Sequence, residues 1–332
     1  MRVSILIPTK NAVKTISQCL DSVLSLDYPK EGLEVYVIDA FSDDGTQDIL
    51  QEYQKKHTGL LRVIEADLNV PQAYNMILKE TKGEFIGFLD ADAVVDRNWL
   101  KVLIPFLDSP QVGGGGGIVL TINKENRFAK CVGYELQDRF ERMPKYCTRF
   151  PTDNFLVRKN ILRLKFNEEL DTGYDADMCY SIIKSGLKIV YVSDAIVYHY
   201  HRDSVKKFFK QQFTYGFNAI RLYVKHFLFI TKDTKTRKEM FFQPPIILIA
   251  FLFFLFGILW LPLIYIGLII TASLLIFYIV SAVRLANKFK DPSSIPCLFI
   301  IFITRVAAWT IGGVYGVIRT IPALLLKKIR GG

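Results

Sequence analysis

The sequence predicts an α/β protein with a mainly parallel sheet, followed by helices that belong in a membrane. Three observations predict it. Short apolar runs alternate with amphipathic stretches through the first 120 residues. Aspartates stand directly after two of those runs. Residues 246–283 are 38 consecutive uncharged, mostly apolar residues.

The elements follow in order. Val3–Ile7 is a β-branched run ended by Pro8. Residues 13–26 place Ile16, Leu20, Val23 and Leu24 on one helical face. Leu33–Ile38 is a second strand, ended by Asp39. Thr46–Lys56 reads as a helix, Leu61–Ala66 as a strand and Gln72–Glu80 as a helix. Glu84–Leu89 is a strand ended by Asp90, and Asn98–Leu107 is a helix. Fully apolar strands between amphipathic helices mean a sheet covered on both faces. Ligands of such sheets sit beyond the carboxyl ends of the strands, so Asp39 and Asp90 can face one site. Gly113–Gly117 either lets backbone approach a ligand or makes a flexible turn. Strand and helix signals return at Asn154–Val157, near Asp175–Ser185, at Lys188–Val192 and at Ala195–Tyr198.

The net charge of +10 on 332 residues is unevenly placed. Residues 1–201 carry 24 Lys and Arg against 28 Asp and Glu. Residues 202–243 carry 10 against 3, and residues 244–332 carry 8 against 1. The basic excess flanks apolar runs rather than covering a polar surface, which argues against nucleic acid as a partner. The five cysteines have no CxxC spacing, so neither a disulfide framework nor a structural zinc site is expected. Val3–Ile7 is too short for the apolar core of a secretion signal, so the N-terminal half is expected in the cytoplasm.

Three regions result: 1–202 as the α/β domain, 203–240 as a basic interfacial helix region, and 241–332 as a membrane domain. Residues 203–229 mix lysines with Phe208, Phe213, Phe217 and Tyr223, which fits a helix lying in a membrane interface. The uncharged run is too long for one span of about 20 residues. It fits a hairpin at about 243–284 that turns at Gly257–Pro262. Basic flanks at both ends place those ends in the cytoplasm. Residues 295–326 form a third span or a re-entrant helix. Arg305, Trp309, Gly312, Gly316 and Arg319 share one face there, and Gly312 and Gly316 permit close helix contact. An arginine at membrane depth is a functional candidate, and Arg305 is expected to face a lipid phosphate.

Asp90-Ala91-Asp92 is a DxD after a strand, where two carboxylates can hold a divalent ion against phosphate oxygens. Asp175-Ala176-Asp177 repeats the pattern, so position rather than spacing makes the first one informative. The surrounding motifs resemble those of the family 2 glycosyltransferases, from Val3 to about Gly216. Pro8-Thr9-Lys10-Asn11 is similar to the family's P-T-x-N opening, and Asp39–Thr46 to its D-x-x-S-x-D-G-T stretch. Asn75 resembles its A-x-N helix, with Tyr74 where a basic residue is common. Asp90–Asp92 resembles its metal motif. Gly173–Asp177 resembles its G-E-D-x-D element, with Tyr174 in place of Glu. Val197-Tyr198-His199 resembles its V-Y-H segment.

The resemblance implies a GT-A fold that binds a nucleotide-sugar in a Rossmann-like domain. It implies Pro8, Thr9, Asn11, Asp39, Asn75, Asp90 and Ala91 on the donor, with Thr9 and Asp39 at the base and Asp90 at the ribose. Asp92 would bind Mn²⁺ or Mg²⁺, with His199, or alternatively His201, as a further ligand. Asp175 would be the general base of an inverting transfer. Asp177 is read, apart from the resemblance, as a residue that only caps or pairs on its helix. Gly117, Asn154 and Arg305 are assigned to the acceptor or lipid side. A phosphate acceptor is already ionised and needs no base, whereas a hydroxyl does. The reading is therefore transfer of one sugar from a UDP- or GDP-sugar to a hydroxyl of a lipid-linked saccharide or glycolipid. It predicts a multi-pass cell-membrane protein with a cytoplasmic catalytic domain. The alternatives are a polyprenyl-phosphate glycosyltransferase and an inactive membrane scaffold of the same fold. The Q-x-x-R-W of processive synthases has only Gln211–Tyr215 near it, without Arg or Trp. A sugar-nucleotide pyrophosphorylase would need a glycine-rich opening loop, and Val3–Asn11 has no glycine.

Overall fold

The computed structural model describes residues 2–163, 165–227 and 232–330. The chain forms two compact units. The first comprises Met1–Ile122, Phe140–Tyr200 and Lys232–Lys235. The second comprises Asn123–Arg139, His201–Thr231 and Thr236–Gly332.

The first unit follows the alternation read from the sequence: β1 (Val3–Thr9), α1 (Ile16–Leu24), β2 (Leu33–Asp39), α2 (Thr46–Lys56), β3 (Leu61–Glu65), α3 (Val70–Ile77) and β4 (Phe85–Phe88). There follow β5 (Ala93–Val95), α4 (Trp99–Leu107), β6 (Val112–Gly116) and β7 (Val119–Thr121). Helix α5 (Arg127–Phe140) belongs with the second unit, all but its last residue. The first unit resumes with β8 (Tyr146–Cys147), β9 (Phe155–Arg158), α6 (Tyr174–Lys184), β10 (Lys188–Tyr191) and β11 (Val197–His199). The main sheet runs β3-β2-β1-β4-β9-β6-β10-β8, and a second sheet runs β5-β11-β7. The β3-β2-β1-β4 half is parallel throughout. Strand β9 runs antiparallel to both β4 and β6. The core on this sheet centres on Ile5, Ile7, Leu20, Val35, Val37, Trp99 and Leu103, all completely buried.

The glycine run is a correction to the sequence reading. It is neither a turn nor a ligand loop: Gly113–Gly116 lie in β6, a fully buried interior strand. Glycine is a poor strand former, and it enters a strand where something else needs the space. A Cβ at Gly113 would run into Ile182, at Gly114 into Val157 and Phe155, and at Gly115 into Val190.

The second unit is helical: α5, α7 (Val205–Lys225), α8 (Lys238–Gly257), α9 (Pro262–Lys288) and α10 (Ile295–Arg330). Among the described residues, three stretches are long and apolar enough to cross a membrane: Lys238–Gly257, Pro262–Lys288 and Pro292–Thr320. The hairpin turn falls where Gly257 and Pro262 predicted it. Leu259 and Trp260 in the turn and Ile269 on α9 are 61–85% exposed, which suits lipid contact rather than water. Helix α10 runs unbroken for 36 residues, about 54 Å at 1.5 Å per residue, long enough to cross a membrane. Its Gly312 and Gly316 pack directly on α7, against the backbone of Phe213 and Phe217.

Arg305 is a second correction. It is 4% exposed and its Nη1 lies 2.7 Å from Glu135 Oε1 on α5, so it faces a buried carboxylate rather than lipid. Arg305 precedes the tight α7–α10 contact on the same face, and a buried guanidinium there needs an anion.

Candidate active site

Parallel pairing of β1 with β2 sets Thr9 opposite Asp39 at one rim of the sheet. The loops beyond them are tied together. Asp39 accepts hydrogen bonds from the Ser42 backbone and hydroxyl and from Gln47 Nε2 at 3.1 Å. Ser42 Oγ in turn accepts from the Asn11 N–H at 2.8 Å, and Asn11 Oδ1 accepts from the Asp43 N–H at 3.0 Å. Two non-glycine residues take left-handed backbone here, Asn11 (φ 52°) and Phe41 (φ 51°). Such strain persists where surrounding bonds over-determine it, and it clusters at functional sites. Phe41 remains 54% exposed. Thr9 Oγ1 is buried and has no hydrogen-bond partner among the described residues, a hydroxyl left available at this rim.

One strand along, the chain leaves β4 through Asp90, Ala91 and Asp92 and enters β5. Strand β11 pairs antiparallel with β5 and sets His199 opposite Ala93. The Tyr200 N–H donates to the Asp92 carbonyl at 3.1 Å and fixes that register. His199 Nε2 therefore lies 3.0 Å from Asp92 Oδ1 and 3.7 Å from Asp90 Oδ2. Ligand atoms of Asp90, Asp92 and His199 all fall within 4.8 Å of one another. His201 is outside this group; its backbone is clipped to the Asn123 side chain. Burial opposes a charge on His199, but Asp92, Asp90 and Asp153 hold its imidazole well above the ordinary histidine range. The site thus attracts positive charge.

Asp175 sits in the first turn of α6, after Gly173 in left-handed backbone (φ 82°). Its Oδ1 is 3.8 Å from Arg149 Nη2, and Arg149 Nη1 is 3.4 Å from Asp233 Oδ2. Asp153, a residue that no sequence motif marked, feels the charges of both groups. Its carboxyl is pushed up to about 6 by burial, with Asp90 and Asp175 adding to the rise and His199 and Lys235 opposing it. Asp90, Asp153, Asp175 and His199 therefore share one electrostatic neighbourhood. Asp153 had one legible signal, a carboxylate just before an apolar strand. Arg149 and Asp233 had none.

Other assigned residues lie elsewhere. Asn75 donates both N–H bonds, to the Phe166 carbonyl (2.9 Å) and to Glu168 (2.8 Å), and accepts from the Phe166 N–H. It positions the 166–168 segment rather than offering donors to a ligand. Asn154 is completely buried. It accepts from Trp99 Nε1 at 2.7 Å and donates to the Ile118 and Ala195 carbonyls at 3.1 Å. It is an internal tie, not an acceptor contact. Gly117 is enclosed by the Val192 and Ala195 carbonyls and likewise meets no acceptor. Asp177, 3% exposed, lies on the buried side of α6. Ala91 is buried between Asp90 and Asp92 in the chain, and Pro8 precedes Thr9 within β1.

Residues 4–166 match the model of glycosyl transferase family 2. The chain carries a family 2 glycosyltransferase domain. Over 325 residues, 91% of this chain and 92% of the relative, it is 28% identical to the dolichyl N-acetyl-α-D-glucosaminyl phosphate 3-β-D-2,3-diacetamido-2,3-dideoxy-β-D-glucuronosyltransferase of Methanococcus voltae. Over 227 residues, 67% of this chain and 74% of the relative, it is 26% identical to a glycosyltransferase of Haloferax volcanii. A mannosyltransferase of Pyrobaculum calidifontis, solved with GDP-Man and Mn²⁺, shares the fold. The TM-score is 0.61 at 19% identity, over 95% of this chain and 87% of that one. The glycosyltransferase has the GT-A arrangement expected from its motifs, an α/β sheet followed by apolar C-terminal helices.

Proposed function

We propose that the glycosyltransferase moves one sugar, with inversion, from a UDP- or GDP-sugar to a hydroxyl of a lipid-linked saccharide or glycolipid at a membrane. The observation that carries the reading is the Asp90–Asp92–His199 group, together with the Asp175–Arg149 pair at the start of α6. Two carboxylates and one imidazole suit Mn²⁺ or Mg²⁺. Asp92 and His199 would hold the ion, which would offset the charge gathering on a leaving nucleoside diphosphate. The Thr9 hydroxyl is available to the base, and Asp39 keeps the loop beside it in place.

Asp175 is assigned the proton of the acceptor hydroxyl, and Arg149 orients its carboxylate. General-base catalysis of this kind is worth about 10²–10⁴ in rate. A hydroxyl acceptor on a lipid-linked sugar is supported by the Methanococcus voltae relative, whose name gives a dolichyl-phosphate-linked sugar as acceptor. The three apolar helices support a membrane location. The basic residues before α8 and at the end of α9 favour a cytoplasmic catalytic domain.

The test uses the full chain purified in detergent. Calorimetry with a panel of UDP- and GDP-sugars is expected to show donor binding that depends on Mn²⁺. Asp92→Asn is expected to lose at least about tenfold in donor affinity with metal present. Asp175→Asn is expected to keep donor binding and lose about 10²–10⁴ in kcat. No binding of any donor overturns the enzyme reading. An Asp175→Asn variant that stays active on a lipid phosphate overturns the hydroxyl acceptor.

A further inference from the structure

One carboxylate oxygen at the rim of the sheet is enclosed without a partner. Asp153 belongs to a single turn of 3-10 helix, Thr152–Asn154, that leads into β9. Antiparallel pairing sets Phe155 of β9 opposite Phe88 of β4. Asp153 lies two residues before Phe155 and Asp90 two residues after Phe88, so both stand beyond the same rim. The turn is held in place, because the adjoining Asn154 side chain bonds to Trp99, Ile118 and Ala195. Asp153 Oδ1 is closed to solvent and accepts no hydrogen bond among the described residues. The charges that act on it are those of His199, Lys235, Asp90 and Asp175, all in the same compact unit.

The fold gives this oxygen no structural use. An enclosed carboxylate oxygen without a hydrogen bond costs free energy, and buried polar groups in native proteins are nearly always paired. The metal group does not supply the partner. Asp90, Asp92 and His199 bring ligand atoms within 4.8 Å of one another, and Asp153 is not among them. The residue as a whole is partly exposed. A carboxylate turns readily about its last bond, so a ligand group can reach the oxygen. An ionised carboxylate only accepts hydrogen bonds, and the group that fits is therefore a donor.

We infer that Asp153 accepts a hydrogen bond from a hydroxyl of the transferred sugar and so selects which sugar the glycosyltransferase takes. The inference rests on the proposed nucleotide-sugar donor. In that reading the diphosphate belongs to the Asp90–Asp92–His199 group and the acceptor proton to Asp175. The sugar ring is the part of the donor that joins the two, and Asp153 feels the charges of both. The base is assigned to Thr9 and Asp39, at the ends of β1 and β2. A site that bonds a substrate hydroxyl rejects an analogue that lacks it, because the buried acceptor is then left unpaired.

Calorimetric titration of the full chain in detergent, with Mn²⁺ present, tests it. The probes are free UDP and GDP, the UDP- and GDP-sugars, and monodeoxy analogues of the sugar donor that binds tightest. Asp153→Ala is expected to weaken that donor about tenfold or more, and the free nucleotide by less than about twofold. One monodeoxy analogue is expected to bind wild type about tenfold or more below the parent donor, and to bind Asp153→Ala as the parent does. Asp153→Asn keeps the shape and drops the charge. Without donor it is expected to melt no lower than wild type, as suits a carboxylate that the fold does not use. Unchanged donor affinity in Asp153→Ala overturns the inference, as do analogues that all lose as much on the variant as on wild type. Equal weakening of donor and free nucleotide overturns it too, and moves the residue to the diphosphate. A lower melting temperature of Asp153→Asn overturns it by making the residue structural. Free UDP and GDP that both fail to bind wild type overturn the nucleotide-donor reading itself, and this inference with it.

Discussion

Tyr74 and Tyr174 each depart from the family pattern, one from a basic residue and the other from Glu. In the fold they meet. Their ring centroids are 6.3 Å apart, and Phe166 lies 5.1 Å from Tyr74 and 6.1 Å from Tyr174. Phe88 completes the cluster at 4.7 Å from Tyr74. A basic residue and a glutamate at these positions would share the same space as an ion pair. Exchanging a buried pair for well-packed apolar groups is often neutral or stabilising, and edge-to-face rings add about 0.5–1.5 kcal/mol. The two departures therefore compensate each other, and Tyr174 alone is no sign of an inactive scaffold. Tyr74→Arg alone is expected to destabilise by about 1–3 kcal/mol, because it breaks the ring packing at a completely buried position. Adding Tyr174→Glu is expected to recover at least about 1 kcal/mol of coupling. Urea melts of the two singles and the double decide it; strictly additive losses would remove the compensation. Each departure was legible in the sequence, but their contact was not, because α3 and α6 are about 100 residues apart and neither motif names the other as its partner.

At the scale of elements, small residues mark where backbones touch. The Gly312–Gly316 spacing was legible as a close-contact motif, but its partner was not. Helix α7 read from sequence as a basic, aromatic surface helix. In the structure its Phe208, Gln212, Gly216 and Leu222 are buried, and Gln212 accepts from Trp309 Nε1 of α10 at 2.8 Å. Gly216 completes the contact: a Cβ there would lie 2.7 Å from the Trp309 carbonyl oxygen. Gly313, between the contact positions, would meet nothing within 4 Å. These positions make a matched pair. Gly216→Ala is expected to cost about 1–3 kcal/mol, since backbone has to move. Gly313→Ala is expected to be neutral or to stabilise by up to about 1 kcal/mol through helix propensity. Thermal melts in detergent that rank the two the other way would refute the α7–α10 contact. The β6 strand hid for the opposite reason. Its glycines carry no strand signal, and the bulk that defines it comes from Ile182, Val157, Phe155 and Val190 on other elements.

For the whole molecule, the charge division read from the sequence holds while the single cut at residue 202 does not. The carboxylates of the candidate site lie in the acidic stretch, and the surplus cations lie among the apolar helices. Yet the two compact units exchange segments. Residues 123–139 belong with the helices, and Lys232–Lys235 belongs with the sheet. The returning segment is bonded in: Thr148 Oγ1 donates to the Lys232 carbonyl at 2.7 Å, the Thr148 N–H donates to Thr234 Oγ1 at 3.0 Å, and Asp233 pairs with Arg149. Composition could not reveal this, because α5 looks like any amphipathic helix until its partners are known. Its Cys131 is buried in a core with Tyr278, Leu298 and Ile301, and Phe128 and Val132 pack against the same cluster. A fragment ending at residue 202 keeps α5 but loses that core, and it leaves Arg149 without Asp233. It is expected to expose the apolar face of α5 and to aggregate. Amides of residues 127–139 are expected to exchange with solvent at least about tenfold faster than in the full chain, because local protection follows burial and packing. Extending the fragment to residue 240 restores Asp233 and Lys235 but not the α9–α10 core, so the 127–139 amides are expected to stay fast. A 1–202 fragment whose α5 amides are as protected as those of the full chain would restore the simple boundary and separate α5 from the helical core.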